Sequence, residues 1–142
     1  MKVRLKFSSN KTLTSWLVRV FTASEYSHVD YVFDDYRCYS SLPRKGVDFT
    51  TDMRFDRSCF CEIEVPSKVR IEQFLIAQRG KKYDWKSIIA FPFRAPWNKK
   101  KRWFCSELIS AALEEEINMF EMKHNRITPA DLYNHPLIKS IT

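Results

Sequence analysis

Glycine is nearly absent: Gly46 and Gly80 are the only two in the chain. With 44% hydrophobic and 15% aromatic residues beside them, this excludes a disordered or low-complexity chain, and the 142 residues read as one packed domain spanning 1–142. Uninterrupted apolar runs are missing too. In the N-terminal stretch MKVRLKFSSNKTLTSWLVRVF, Lys, Asn, Ser and Arg break every hydrophobic segment, which leaves no signal-peptide core and no membrane span. A cytoplasmic location is therefore expected.

The cysteines, at 38, 59, 61 and 105, lack a second Cys or His pair at zinc-ligand spacing, so no structural metal is expected. Without a secretion signal they are expected to stay thiols. CFCEIEV reads as a strand with Cys59 and Cys61 on one face. No internal repeat is visible. Acidic residues are outnumbered, 17 against 24 Lys and Arg, and the resulting +7 charge favours anionic partners such as nucleic acid, anionic lipid or cell-wall polymer without choosing among them.

The apolar pattern divides the chain. VRLKF alternates and predicts a first strand. Leu13, Trp16, Leu17, Val20 and Phe21 follow the i, i+3, i+4, i+7, i+8 spacing of a helix with one buried face. From Ser27 to Val65 the period changes to two, predicting a meander of antiparallel strands in HVDYVF, RCYSS, GVDFT and CFCEIEV. In the first of these, His28, Asp30 and Val32 share a face opposite Val29, Tyr31 and Phe33.

Ser67 is placed to cap a helix that runs toward Gly80, and DWKSIIAF predicts a short helix before Pro92. WFCSELISAALEEEI is the most regular helical pattern, with Cys105, Leu108, Ile109, Ala112, Leu113 and Glu116 on one stripe. Thr128-Pro129-Ala130-Asp131 is a helix start with its cap.

Cys105 thus falls at a helix N-terminus, where unpaired N–H groups and the helix dipole favour thiolate over thiol. A nearby imidazole would complete a nucleophile, since a thiolate–imidazolium pair keeps sulfur reactive at neutral pH and returns a proton to the leaving group. His28, opening a strand that has no need of an imidazole, is the candidate. The plain alternatives are a small buried thiol and a polar strand-end histidine.

The order of helix, SHVDYVF, YSSLPRKGV, GKKYDW and WFCSELI resembles the circularly permuted branch of the NlpC-like papain-fold cysteine hydrolases, the YiiX-like proteins of bacteria and phages. It covers roughly Phe7 to Leu132. The resemblance implies an α+β fold with an antiparallel sheet packed by helices, no cofactor, Cys105 as nucleophile and His28 as base. Histidine precedes cysteine, the reverse of papain.

In those proteins a polar residue, often Glu, orients the imidazole just before a Gly-Val step. Aligning Gly46-Val47 to that step puts Ser40, or its neighbour Ser41, in this role. A serine brings no negative charge. Asp30 or a backbone carbonyl is the alternative orienting group, and Tyr26 is a candidate to line the cleft or donate to an oxyanion.

The expected activity is hydrolysis of an amide, isopeptide or ester bond in a peptide, amide or acyl substrate, which an anionic character would suit. Acyl transfer or thioester hydrolysis on lipid-type acyl groups is an alternative use of the same pair. A non-catalytic basic binding module is another. For the latter, WNKKKRWF mixes aromatics and cations as single-stranded nucleic-acid binders do, although Trp103 and Phe104 also suit a core anchor.

Overall fold

The computed structural model describes residues 1–9, 12–22, 25–50, 57–84, 102–120 and 127–141. Its elements run β1 (Lys2–Ser9), α1 (Leu13–Thr22), β2 (His28–Val32), β3 (Cys38–Leu42), β4 (Gly46–Phe49), β5 (Arg57–Glu64), α2 (Val69–Ala77), β6 (Lys82–Tyr83), β7 (Arg102–Trp103), α3 (Cys105–Leu113), α4 (Pro129–Tyr133) and β8 (Lys139–Ser140). Six strands form one sheet in the order β4-β3-β2-β1-β5-β8. Every neighbouring pair in it is antiparallel, so the architecture is α+β as the period-two meander predicts.

Register sorts the side chains. Leu5 stands opposite Tyr31 and Cys61, and Phe7 opposite Val29 and Cys59. All of these are buried on one face. On that face the phenols of Tyr31 and Tyr39 donate to Glu72 Oε1 and to the Leu75 carbonyl, so α2 is tied to the sheet by polar as well as apolar contact. The other face carries Lys6 opposite Asp30 and Ser8 opposite His28. These polar residues are buried or nearly so. Cys59 and Cys61 share a face as expected, with sulfurs 4.0 Å apart, and all four cysteines are free.

Three helices differ in detail from their patterns. Among the described side chains of α1, Ser15 and Val18 are buried, while Trp16 and Val20 are more than half exposed. The reason lies outside the helix: Ser15 Oγ is 2.6 Å from Ser27 Oγ, which turns the serine side of the helix inward. Ser67 does receive the Val69 N–H, at 3.2 Å, but the N-cap of α2 is Lys68.

The third helix, α3, ends at Leu113 instead of continuing through Glu114-Glu115-Glu116, three carboxylates at the negative end of the helix dipole. It is buried on every side, with Ser106 Oγ donating to the Ile127 carbonyl. The start of α4 is as read, with Thr128 and Asp131 bonded reciprocally. Helix DWKSIIAF and the loop through Lys101 lie outside the described residues, apart from Asp84.

Trp103 and Phe104 are anchors. Phe104 is fully buried, and Trp103 donates to Gln78 Oε1 while its ring meets Phe74. Among the described residues no helix is long and apolar enough to cross a membrane.

Both glycines have positive φ, but they differ in surroundings. A Cβ on Gly46 would stand 2.2 Å from the Lys81 carbonyl oxygen, whereas nothing lies within 4 Å of one on Gly80. Gly46→Ala should therefore destabilise the protein by well over the ~1 kcal/mol that the left-handed conformation alone costs. Gly80→Ala should lose only about that 1 kcal/mol. Urea midpoints of the two variants measure the difference, and equal losses would mean that the Lys81 approach is not tight.

Candidate active site

β2 begins at His28, and alternation puts the Asp30 side chain on the same face two residues on. The ring Nε2 is 3.0 Å from Asp30 Oδ1. The same oxygen accepts from Thr50 Oγ1 at 2.7 Å, just past the end of β4. Asp30 is fully buried, and its Oδ2 has no hydrogen-bond partner among the described residues.

Cys105 is the first residue of α3, following an extended Phe104 that provides no side-chain cap. Its backbone position is held from two sides. Ser41 Oγ donates to the Trp103 carbonyl, and the Asp84 N–H reaches the same carbonyl at 3.0 Å. The sulfur lies 3.9 Å from the Ser27 carbonyl, at the mouth of β2, and the thiol is a hydrogen-bonding neighbour of the His28 ring. With Nε2 turned to Asp30, Nδ1 is the nitrogen left for the sulfur.

The electrostatics follow. Burial opposes charge on the ring, but the charge and hydrogen bond of Asp30, then those of Cys105, outweigh it and push His28 from 6.5 up to about 10. Burial likewise resists ionisation of Asp30, yet His28, Thr50 and the Lys6 ammonium hold its carboxyl below the usual range. The pair is thus an imidazolium and a carboxylate at neutral pH.

The residues named from sequence divide at this point. His28, Asp30 and Cys105 come together. Ser40 does not join them through its hydroxyl, which donates instead to the Val29 carbonyl at 2.7 Å. The group bonded to the ring is Asp30, because alternation on one strand delivers it there without help from β3. Ser41 serves the backbone of Trp103, and the Tyr26 ring packs between Phe7 and Tyr133.

Thr50 and Tyr83 were not singled out by the sequence. Tyr83 is buried, and burial, then the charges of Cys105, Asp84 and Glu107, raise its phenol well above its ordinary value. It is a protonated phenol in the neighbourhood of the sulfur. The H-x-D spacing was a usable signal for Asp30; Thr50 and Tyr83 carry no local signal, since tertiary packing alone brings them in.

A raised histidine stabilises the fold fully below its unfolded value near 6.5, and that contribution is lost as pH climbs through about 10. The lowered Asp30 contributes above 3.8 and loses its contribution as pH falls through its depressed value. The unfolding free energy should accordingly decline from about pH 6.5 toward 10 in the parent, with a flatter profile in His28→Gln. Chemical denaturation across that range measures it, and parallel profiles would show that the ring does not carry the charge.

No family model matches the chain, and no curated protein matches it. Among solved structures its fold is similar to that of a protein from Escherichia coli O157:H7, described as the metalloprotein YiiX, DUF1105. The TM-score is 0.70 at 15% identity, covering 100% of this chain and 96% of the other. Metal is part of that protein's description. In this chain, no group of three or more His, Cys, Asp and Glu side chains is placed to hold a metal ion among the described residues. What the two chains share is a fold, an α+β architecture like that of YiiX, over essentially their whole lengths.

Proposed function

We propose that the protein is a cysteine hydrolase of the permuted, NlpC-like papain type, cleaving an amide, isopeptide or ester bond. The observation that carries this reading is the continuous contact from Asp30 through the His28 ring to Cys105 at the uncapped start of α3. A structural thiol needs neither a charged imidazole beside it nor a buried carboxylate behind that imidazole.

In this mechanism Cys105 Sγ attacks the substrate carbonyl carbon, forming a carbon–sulfur bond as the π electrons move onto oxygen, and the thioester results when this oxyanion collapses. His28 Nδ1 gives its proton to the departing amine or alcohol as the scissile bond breaks. Water then attacks the thioester, with the ring taking its proton and returning it to sulfur, and the acid product leaves. Asp30 keeps the ring oriented and stabilises it whenever it is protonated. The backbone N–H of Cys105 is the first oxyanion donor. Tyr26 was the sequence candidate for the second, and its ring packs between Phe7 and Tyr133.

The sulfur itself is 1% exposed, and the His28 side chain 11%. A small reagent is therefore the proper first probe. Iodoacetamide labelling of Cys105, followed by peptide mass mapping so that Cys38, Cys59 and Cys61 serve as internal references, should be fast and persist below pH 7. In His28→Ala it should drop to the rate of the reference thiols. Slow labelling indifferent to His28 would return Cys105 to the class of buried core thiols.

The orienting role separates two variants. Asp30→Asn should lower turnover by about 10²–10⁴-fold, in the range seen when a triad carboxylate is replaced. Ser40→Ala should retain most of it. Activity is read on a panel of peptide amides, isopeptides and esters, with and without an added acyl acceptor. Acceptor-dependent product would favour acyl transfer by the same pair. The reverse ranking of the two variants would move the orienting role to Ser40.

A further inference from the structure

At the end of β2 away from His28, about 13 Å along the strand at roughly 3.3 Å per residue, the polar face of the sheet opens into a cavity of about 230 Å³. Its walls include Lys2, Arg4, Asp34, Tyr36, Glu62 and Lys68. Two of the cations are already matched: Lys2 Nζ is 3.2 Å from Glu62 Oε2, and Lys68 Nζ is 2.6 Å from Asp34 Oδ1. The third is not. Glu62 stands opposite Arg4 in the β1–β5 register, yet Arg4 forms no ion pair among the described residues, and its Nε is buried without a hydrogen-bond partner.

Tyr36 is the second anomaly in the same cavity. It has φ of +66°, the left-handed region that disfavours a side chain, inside the turn closed by the Tyr36 N–H to Phe33 carbonyl bond. Glycine or asparagine would form that turn with less strain. The tyrosine is 75% exposed, so the core gains nothing from it, and its ring centre lies 5.6 Å from the Arg4 guanidinium carbon. A strained, exposed aromatic over an arginine that has no acidic partner among the described residues has the form of a ligand clamp.

We propose that this cavity is a carboxylate-binding site. Arg4 takes both oxygens of the ligand's carboxylate through its two terminal nitrogens, and the Tyr36 ring covers the group behind that carboxylate. Three cations against two carboxylates leave one positive charge, which matches a monoanion and not a phosphate dianion. The site is remote from Cys105, and the inference does not depend on catalysis there.

The probe is N-acetylglycine, compared with N-acetylglycinamide and with inorganic phosphate at matched ionic strength. The NMR signal of Arg4 Nε–H and nearby backbone amides should shift saturably with the acid and stay unmoved with the amide. Binding should vanish in Arg4→Gln. Tyr36→Gly should raise the thermal midpoint by relieving the backbone while weakening the acid about tenfold, an opposition of signs that a purely structural tyrosine would not give. No saturable shift, an equal shift with the amide, or binding retained in a folded Arg4→Gln would overturn the proposal. Tighter binding of phosphate than of the acid would overturn the assignment to carboxylates. Should Arg4→Gln fail to fold, the parent's Nε–H response to acid against amide decides alone.

Discussion

A fully buried carboxylate sets the terms for the rest of the site. Asp30 has no exposed surface, and an ionised group so placed is tolerated only when charge and hydrogen bonds surround it. Here the compensation comes from three directions: the ring of His28 on its own strand, the hydroxyl of Thr50 beyond β4, and the Lys6 ammonium across from it on β1. Each comes from a different part of the sheet, so the sheet must be assembled before the charge is satisfied. The same arrangement keeps the imidazole protonated beside the sulfur.

The helix end is positioned by equally specific backbone contacts. Ser41 and Asp84 both bond the Trp103 carbonyl, and the Gly46–Lys81 approach lets the Val47 N–H reach the Lys81 carbonyl at 2.8 Å, joining β4 to the segment leading into β6. β6 then pairs with β7, which leads directly into Cys105. The route from Gly46 to Cys105 is therefore a chain of main-chain hydrogen bonds. Errors in it would displace sulfur from the ring without touching either residue.

The sheet's polar face carries two features at opposite ends of β2: the His28–Asp30 pair and the Arg4–Tyr36 cavity. Between them lies Lys6, buried opposite Asp30 and compensating its charge. An otherwise hydrophobic layer at this position would be cheaper to fold.

Much of this was legible in residue patterns because strands and helices have short periods. Alternation predicted the meander, placed His28 and Asp30 on one face and put Cys59 beside Cys61; the Thr128–Asp131 motif marked a helix start; and the helical stripe put Cys105 at an N-terminus. What failed was whatever depended on distant neighbours. Ser15's bond to Ser27 turned α1 so that Trp16 faces out, α3 proved buried on all sides, and Ser40 was claimed by the Val29 carbonyl. Thr50 and Tyr83 entered from elsewhere in the chain. The sequence by itself determined the strands of the meander, the faces that their residues share and the two ends of a sulfur–imidazole pair, since those depend on local spacing. Only the tertiary structure decided that Asp30 completes it, because hydrogen-bond partners are assigned by distances that no local period encodes.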